Sequence, residues 1–360
     1  MRTQGEMTIP TDRIISSTAD IPILGYYDHR NAGDEAFKLA FDLAFAGTRH
    51  HFVQKFERGQ KIPLAAFGGG AVINDYFLRR LENVDRIHMI GCSLPYGDGD
   101  ARLLEPMRDR IGGLYLRSNA DVAAARELGF DARFTPDIVF SVPPRRSATL
   151  DDLVAAAALP PKGFSPERKK LFVFLSDHYS LVPGADNETR FHEIEHFKTQ
   201  IAAALDQVAN RFDIVMPSMS VWYNARDYIF AAEVLRRMKN AARVCLVEKY
   251  FEPQALIDII ASTECAIVSM KYHGLVFGLL NRKFVINIGS TRKTLDLMTD
   301  AGITALSVSE RSMTTTQLLD VMQKHKSENL LKRISDVAEN WRGQAVAALR
   351  EAAAKVKADL

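Results

Sequence analysis

Cysteine, long apolar runs and any surplus of one charge are all scarce in this chain. Its three cysteines, Cys92, Cys245 and Cys265, lie far apart inside apolar stretches. Their spacing fits no metal-ligand pattern, so they are expected to be buried, inert thiols in a reducing compartment, with no metal site. Forty-six basic against 44 acidic residues leave a net charge of +2. That balance excludes a global attraction to nucleic acid or to an anionic membrane, and any anion site must be local. No run approaches the roughly 20 apolar residues of a membrane span. The opening MRTQGEMTIPTDR lacks the apolar core of a signal peptide. A cytoplasmic protein without an integral membrane segment is the expectation. No basic amphipathic stretch marks a membrane-facing surface, and the oligomeric state is not legible.

What is present is a pattern of short apolar runs alternating with amphipathic segments. At 360 residues the chain is long for one core, which favours two domains. IPILGYY (21–27), LAAFGGG (64–70), RIHMIGCSL (86–94), GLYLR (113–117) and DIVFSV (137–142) read as strands. AFKLAFDLAF, AVINDYFLRRL and NADVAAARELG between them read as helices. Residues 143–168, rich in Pro, Ser and charge, read as a connection between domains. A second alternation follows, with strands at 170–176, 212–218, 243–248, 265–270 and 283–288 and helices at 190–210, 252–261, 273–281 and 291–301. Strands interleaved with helices imply parallel sheets with right-handed crossovers. The tail spaces Leu330, Ile334, Val337 and Trp341 helically, with Ser327 placed to cap it. The expected fold is therefore α/β: two Rossmann-like domains, 1–142 and 169–312, facing a cleft in a GT-B-like architecture. C-terminal helices over 313–360, one of them long, would pack back across both.

In open α/β sheets, ligands bind beyond the carboxyl ends of the strands. Polar residues at those ends are the candidates. YYDHRNAGDEAF places Asp28, Asn31, Asp34 and Glu35 where a turn becomes a helix, as partners for a polar substrate or merely as a cap. The triple glycine Gly68, Gly69, Gly70 lets backbone approach a ligand or makes a tight turn; it matches neither a Walker loop nor G-x-G-x-x-G. Arg117 ends a strand and can grip phosphate or carboxylate. In SMKYHGLVFGLL, Lys271 and His273 stand between an apolar strand and a helix, and Lys293 occupies the loop after the next strand. Asp177 and His178 follow the first strand of the second domain, and Trp222 could give a sugar ring a platform. Two consecutive strands thus deliver cations, Lys271 and Lys293, toward one rim, which suits a small anionic ligand.

Taken in order, these stretches resemble the polysaccharide pyruvyl transferase family. The resemblance rests on N-x-G-D-E (Asn31, Gly33, Asp34, Glu35), the glycine turn at Gly68–Gly70, and Arg117 before a helix ending Leu128-Gly129. It continues with Asp137-Ile138-Val139-Phe140, with Ser269, Lys271, His273 and Gly274 for S-x-R-x-H-G, and with Lys293. It covers residues 21 to about 303. Two departures stand out: Lys271 replaces an arginine, keeping charge but losing the bidentate fork, and Ser290 replaces a tyrosine.

The resemblance implies transfer of a pyruvyl group from phosphoenolpyruvate to a sugar, forming a ketal on a polysaccharide or glycoconjugate unit and releasing phosphate. No bound cofactor is implied; phosphoenolpyruvate is a co-substrate. Arg117, Lys271, Lys293 and the Gly68–Gly70 turn would hold the donor. His273, Asp34 and secondarily Asp28 would be catalytic. Asn31, Glu35, Asp177, His178 and Trp222 would contact the acceptor, with the N-terminal domain as acceptor side and the C-terminal domain as donor side. Whether the acceptor is lipid-linked or polymeric stays open. Two other readings remain at this point. One is a nucleotide-sugar glycosyltransferase of the same build, with Glu248 as ribose ligand. The other is a non-catalytic homologue acting as a binding module.

Overall fold

The computed structural model describes residues 20–94, 101–158, 161–165, 167–177, 186–222 and 225–360. The first half opens with β1 (Ile21–Leu24), α1 (Ala32–Ala44), β2 (His50–Val53) and β3 (Ile62–Gly70). The four-residue α2 (Asp75–Leu78), β4 (Val84–Cys92), β5 (Ile111–Leu116), α3 (Asn119–Glu127) and β6 (Ala132–Phe134) complete it. Its strands form one wholly parallel sheet in the order β2-β1-β3-β4-β5-β6. A short helix, α4 (Leu150–Ala155), lies in the connection. Asp258 accepts the Arg145 and Ser147 N–H groups, both at 2.7 Å, and so pins that connection to the second half.

The second half runs β7 (Lys170–Phe174), α5 (Asn187–Val208), β8 (Asp213–Pro217), the small antiparallel pair β9 (Val221–Trp222) and β10 (Ala225–Arg226), then α6 (Asp227–Leu235). It continues through β11 (Val244–Val247), α7 (Pro253–Ser262), β12 (Cys265–Ser269), α8 (Tyr272–Leu280), β13 (Phe284–Ile288), α9 (Arg292–Asp300) and β14 (Ser307–Val308). Its large sheet, β11-β8-β7-β12-β13-β14, is also wholly parallel. Helices α10 (Thr315–Gln323) and α11 (Glu328–Ala358) follow.

Parallel strands covered on both faces read as apolar runs. Alternate residues of the first sheet serve different cores. Leu24, Ala65, Phe67, Met89 and Leu116 face a core with Phe77, Leu104 and Val122. Ile23, Ala66, Ile90 and Tyr115 face a second core that is continuous with that of the second half. The two halves therefore share buried apolar packing. Helix α11 packs on α1, α8 and β5, with Trp341 edge-on to Phe140 at 5.1 Å. Ser327 caps it, accepting from the Leu330 N–H. At its far end Tyr115 donates to Glu351 at 2.9 Å, and Asp359 pairs with Arg86 and His88.

The structure corrects the sequence reading at several elements. Residues 137–142, expected as a strand, form a 3-10 turn over Ile138–Ser141 capped by Asp137. An apolar run of this length cannot be told from a buried strand by periodicity, and Ile138, Val139 and Phe140 are fully buried. β2, β6 and β14 were not anticipated; they are short or carry His and Arg. The segment read as a helix after the glycines is only α2 plus one 3-10 turn. All three cysteines are free, and burial pushes each thiol up to about 12. Cys265 is half-buried rather than fully buried. Among the described residues no helix is long and apolar enough to cross a membrane.

Trp341→Ala should lower the unfolding free energy by about 3–5 kcal/mol, the usual cost of truncating a buried tryptophan, as measured by urea denaturation.

Candidate active site

The chain turns sharply where β12 ends. The Ser269 hydroxyl donates to the Lys271 carbonyl at 2.7 Å and accepts the Lys271 N–H at 3.0 Å. This corner leaves Lys271 as the extended residue before α8, with His273 in the first turn. Lys271 Nζ donates to Asp227 Oδ1 at 3.0 Å, and both residues are buried. The other Asp227 oxygen accepts the Met219 and Ser220 N–H groups at 3.2 and 2.8 Å. Burial pushes the Asp227 carboxyl above its usual range despite Lys271.

Arg117, directly after β5, is held in the same way from the first half. Its Nε donates to Ser93 Oγ and its Nη1 to Asp137 Oδ2, both at 3.1 Å. The guanidinium lies 4.2 Å over the Tyr272 ring, a cation–π contact across the two halves. Asp137 Oδ1 accepts the Val139 N–H at 3.0 Å, while Oδ2 lies 3.6 Å from His273 Nε2. Burial alone would raise the Asp137 carboxyl, yet His273, Arg117 and the Val139 N–H hold it below the usual range.

The start of α1 closes the site from the opposite wall. Asn31 caps that helix by accepting the Gly33 N–H at 3.1 Å. Its neighbours are stitched to the second half: Ala32 N–H donates to Met219 O at 2.7 Å, and Asn31 forms a bridge with Ser220. Gly33 has to be glycine here, because a Cβ would sit 2.3 Å from His273 Nδ1. The His273 ring also meets Phe37 edge-on at 5.0 Å. Gly69, at φ +77°, in turn gives Phe37 its space; a Cβ there would lie 2.4 Å from the phenyl ring. Burial pushes Asp34 above its usual range, against the pull of His273, Lys293, Lys271 and Arg117 around it.

Arg117, Lys271, His273, Asp227 and Asp34 line one cleft of about 920 Å³. Of the residues singled out in the sequence, Asn31, Asp34, Gly70, Arg117, Asp177, Lys271, His273 and Lys293 face it. Others do not. Gly68 is inside β3, where its carbonyl accepts from Tyr27 Oη at 2.7 Å, and Gly69 seats Phe37, so only Gly70 of the three reaches the cleft. Asp28, on left-handed backbone at φ +64°, turns outward to Lys38. Glu35 turns to the His29 N–H and to Lys38 at 2.8 Å. Trp222 stands outside the lining, 41% exposed, edge-on to His29 at 5.0 Å. His29 lies against Tyr26, the rings tilted by 32° with centroids 4.1 Å apart, and Tyr26 does line the cleft. Ser290, at the second departure, donates to Glu310 at 2.7 Å and also lies outside. Glu248 is exposed and outside the lining. His178 lies outside the described residues.

Sequence reasoning assigned no role to Asp137 and missed Asp227, Tyr26 and Tyr272. Asp227 opens a helix, where an acid is expected for the helix dipole alone, so nothing distinguished it. The cations were legible; the buried acids opposing them were not. Among the described residues, no cluster of three His, Cys, Asp or Glu side chains is placed to hold a metal ion.

The family model for polysaccharide pyruvyl transferase matches residues 11–292. The chain belongs to that family. It is accordingly a transferase, and family membership implies a sugar acceptor. No curated protein matches the sequence. Among solved structures, UDP-GlcNAc 2-epimerase from Neisseria meningitidis aligns with TM-score 0.55 at 10% identity, over 91% of this chain and 97% of its own. A UGT transferase from Siraitia grosvenorii aligns with TM-score 0.54 at 10% identity, over 94% and 99%. S. aureus MnaA gives TM-score 0.55 at 9% identity, over 92% and 94%. At such identities the likeness is one of fold: this pyruvyl transferase family member has the GT-B architecture.

Because the Asp34 carboxyl is raised by burial, its ionisation weakens the folded state as pH rises from the ordinary carboxylate range through the folded value. Asp34→Asn should therefore raise the melting temperature at pH 7 while impairing turnover. Melting curves across pH should show that gain shrinking to nothing below the ordinary carboxylate range.

Proposed function

We propose that this enzyme transfers the pyruvyl group of phosphoenolpyruvate to two hydroxyls of a sugar, forming a cyclic ketal and releasing phosphate. The observation that carries the reading is the convergence of Arg117, Lys271, His273, Lys293 and Asp34, from separate segments of both halves, on one cleft. Phosphoenolpyruvate carries phosphate and carboxylate on a small frame and needs several cations at once. The cations here are not unopposed: Arg117 faces Asp137, Lys271 faces Asp227, and Lys293 acts on Asp34. The starts of α8 and α9, which carry His273 and Lys293, add the favourable field of helix N-termini.

In the reaction the donor's methylene carbon gains a proton, the adjacent carbon is attacked by one hydroxyl, and a second hydroxyl displaces phosphate. One hydroxyl hydrogen ends in the new methyl group and the other leaves with the phosphate. His273 delivers the proton or assists phosphate departure. Asp34, once ionised, takes the acceptor proton, and a raised pKa makes it the stronger base. The acceptor lies toward the part of the cleft lined by α5 and α6. Asn31 lies on one wall; Phe191, Ile194 and Phe230, with Lys198 between Glu195 and Glu233, lie on the other. A glycosyltransferase reading finds less support, since Glu248 lies outside the lining.

Incubation with phosphoenolpyruvate and a panel of hexosides should release phosphate and add a pyruvyl mass to one sugar. His273→Ala should cost about 10²-fold or more in turnover, in keeping with general acid–base work. Lys271→Met should raise KM for phosphoenolpyruvate by about tenfold or more, the worth of a charge-assisted contact. Binding of UDP with no phosphoenolpyruvate-dependent phosphate release would sink the reading.

A further inference from the structure

We propose that Asp137 is the positioning carboxylate of His273: it fixes the proton of the neutral ring on Nε2 and leaves Nδ1 to exchange protons with the substrate. The inference rests on the reading of His273 as the proton carrier and assigns a task to a residue that touches no substrate.

Three observations carry it. First, His273 Nε2 is buried without a hydrogen-bond partner, so substrate in the cleft can meet only Nδ1. Nδ1 is the nitrogen packed against Gly33 at the start of α1, beside Asp34. Second, the atom facing Nε2 is a carboxylate oxygen, Asp137 Oδ2, at 3.6 Å. An acceptor opposite one ring nitrogen selects the tautomer that carries hydrogen there. Catalytic hydrogen bonds are often long before the substrate arrives, and this one needs to shorten only slightly. Third, Asp137 cannot turn away. Oδ1 holds the Val139 N–H at 3.0 Å and Oδ2 also holds Arg117 at 3.1 Å, so the side chain is fixed at both ends. The charged groups sharing the cleft lining with His273 include Asp34, Arg117, Lys271 and Lys293, with Asp137 at 3.6 Å and the Tyr272 ring adjoining. Only Asp137 is placed within ion-pair distance of Nε2 among the described residues.

When the protonated ring gives its Nδ1 hydrogen to the donor's methylene carbon, the Nε2–H form remains. That form already faces Asp137, so no ring rotation is required. When Nδ1 takes a proton, the resulting imidazolium is paired with a buried carboxylate.

Asp137→Asn turns this into a measurement. The Val139 N–H donates to Oδ1 and Arg117 to Oδ2, so the amide oxygen can serve only one of them; kept on the backbone donor, it puts the NH₂ group opposite Nε2 and leaves Arg117 without that acceptor. Nε2 must then become the acceptor, and the ring proton moves to Nδ1. Two-bond proton–nitrogen correlation spectra of the full chain with labelled histidine, assigned with His273→Gln, report the tautomer directly. The wild type should show Nε2–H and the asparagine variant Nδ1–H, with turnover lower by about 10²–10⁴-fold and the fold intact by circular dichroism. A wild-type ring in the Nδ1–H form overturns the proposal, as does a variant whose ring keeps Nε2–H and whose turnover is unimpaired. Should the variant not fold, the wild-type spectrum alone decides. A wild type that shows Nε2–H but releases no phosphate would overturn the proposed reaction and leave the positioning role standing.

Discussion

A buried carboxylate, Asp137, stands between the two halves, with a guanidinium from one half on one side and an imidazole from the other half beside it. Burying a lone charge is expensive, and breaking such a pair costs about 3–5 kcal/mol because the remaining charge is stranded. Arg117, Asp137 and His273 therefore hold one another, and the geometry of the site follows. The same logic repeats with Lys271 and Asp227, whose second oxygen fixes the 219–220 backbone. That backbone pairs with Asn31 and Ala32, so Lys271 and the start of α1 are linked by hydrogen bonds. Further along the seam, Arg292 reaches Asp121 at 2.7 Å, and Ser118 and Asn119 reach Asp296 and Asp300 at 3.0–3.1 Å. Polar contacts tie the halves at the cleft, and shared apolar packing with α11 ties them behind it.

Glycine at two positions makes this arrangement possible. Gly33 admits the His273 ring against α1, and Gly69 admits the Phe37 ring that supports it. These glycines give clearance to the His273 and Phe37 rings. The N-x-G-D-E pattern gains a physical meaning at each position here: a cap, a clearance, an acid in the cleft, and an acid that pairs with Lys38 to hold the turn.

Much of the architecture was legible because parallel sheets write themselves as apolar runs between helices, and because the strong caps at Asn31 and Ser327 mark helix starts. The run at 137–142 misled for the same reason: full burial looks alike whether the backbone is a strand or a 3-10 turn. In the site, cations at strand ends were visible as anomalies in apolar sequence. Their partners Asp137 and Asp227 were not, since an acid before a turn or at a helix start is ordinary. Asp28 and Glu35 looked equivalent to Asp34, and only the left-handed backbone at 28 and the reach of Lys38 separate them. Lys271 keeps the charge of the family's arginine, and its single ammonium finds one carboxylate oxygen rather than a bidentate fork.

The central claim is that both halves together build the donor site. The most direct measurement is a crystal structure of the full chain with phosphoenolpyruvate. The donor should lie between the halves, with its phosphate and carboxylate within about 3.5 Å of cationic groups from each, Arg117 on one side and Lys271 or Lys293 on the other. A donor held by one half alone, or bound away from the Arg117–Asp137–His273 cluster, would contradict it.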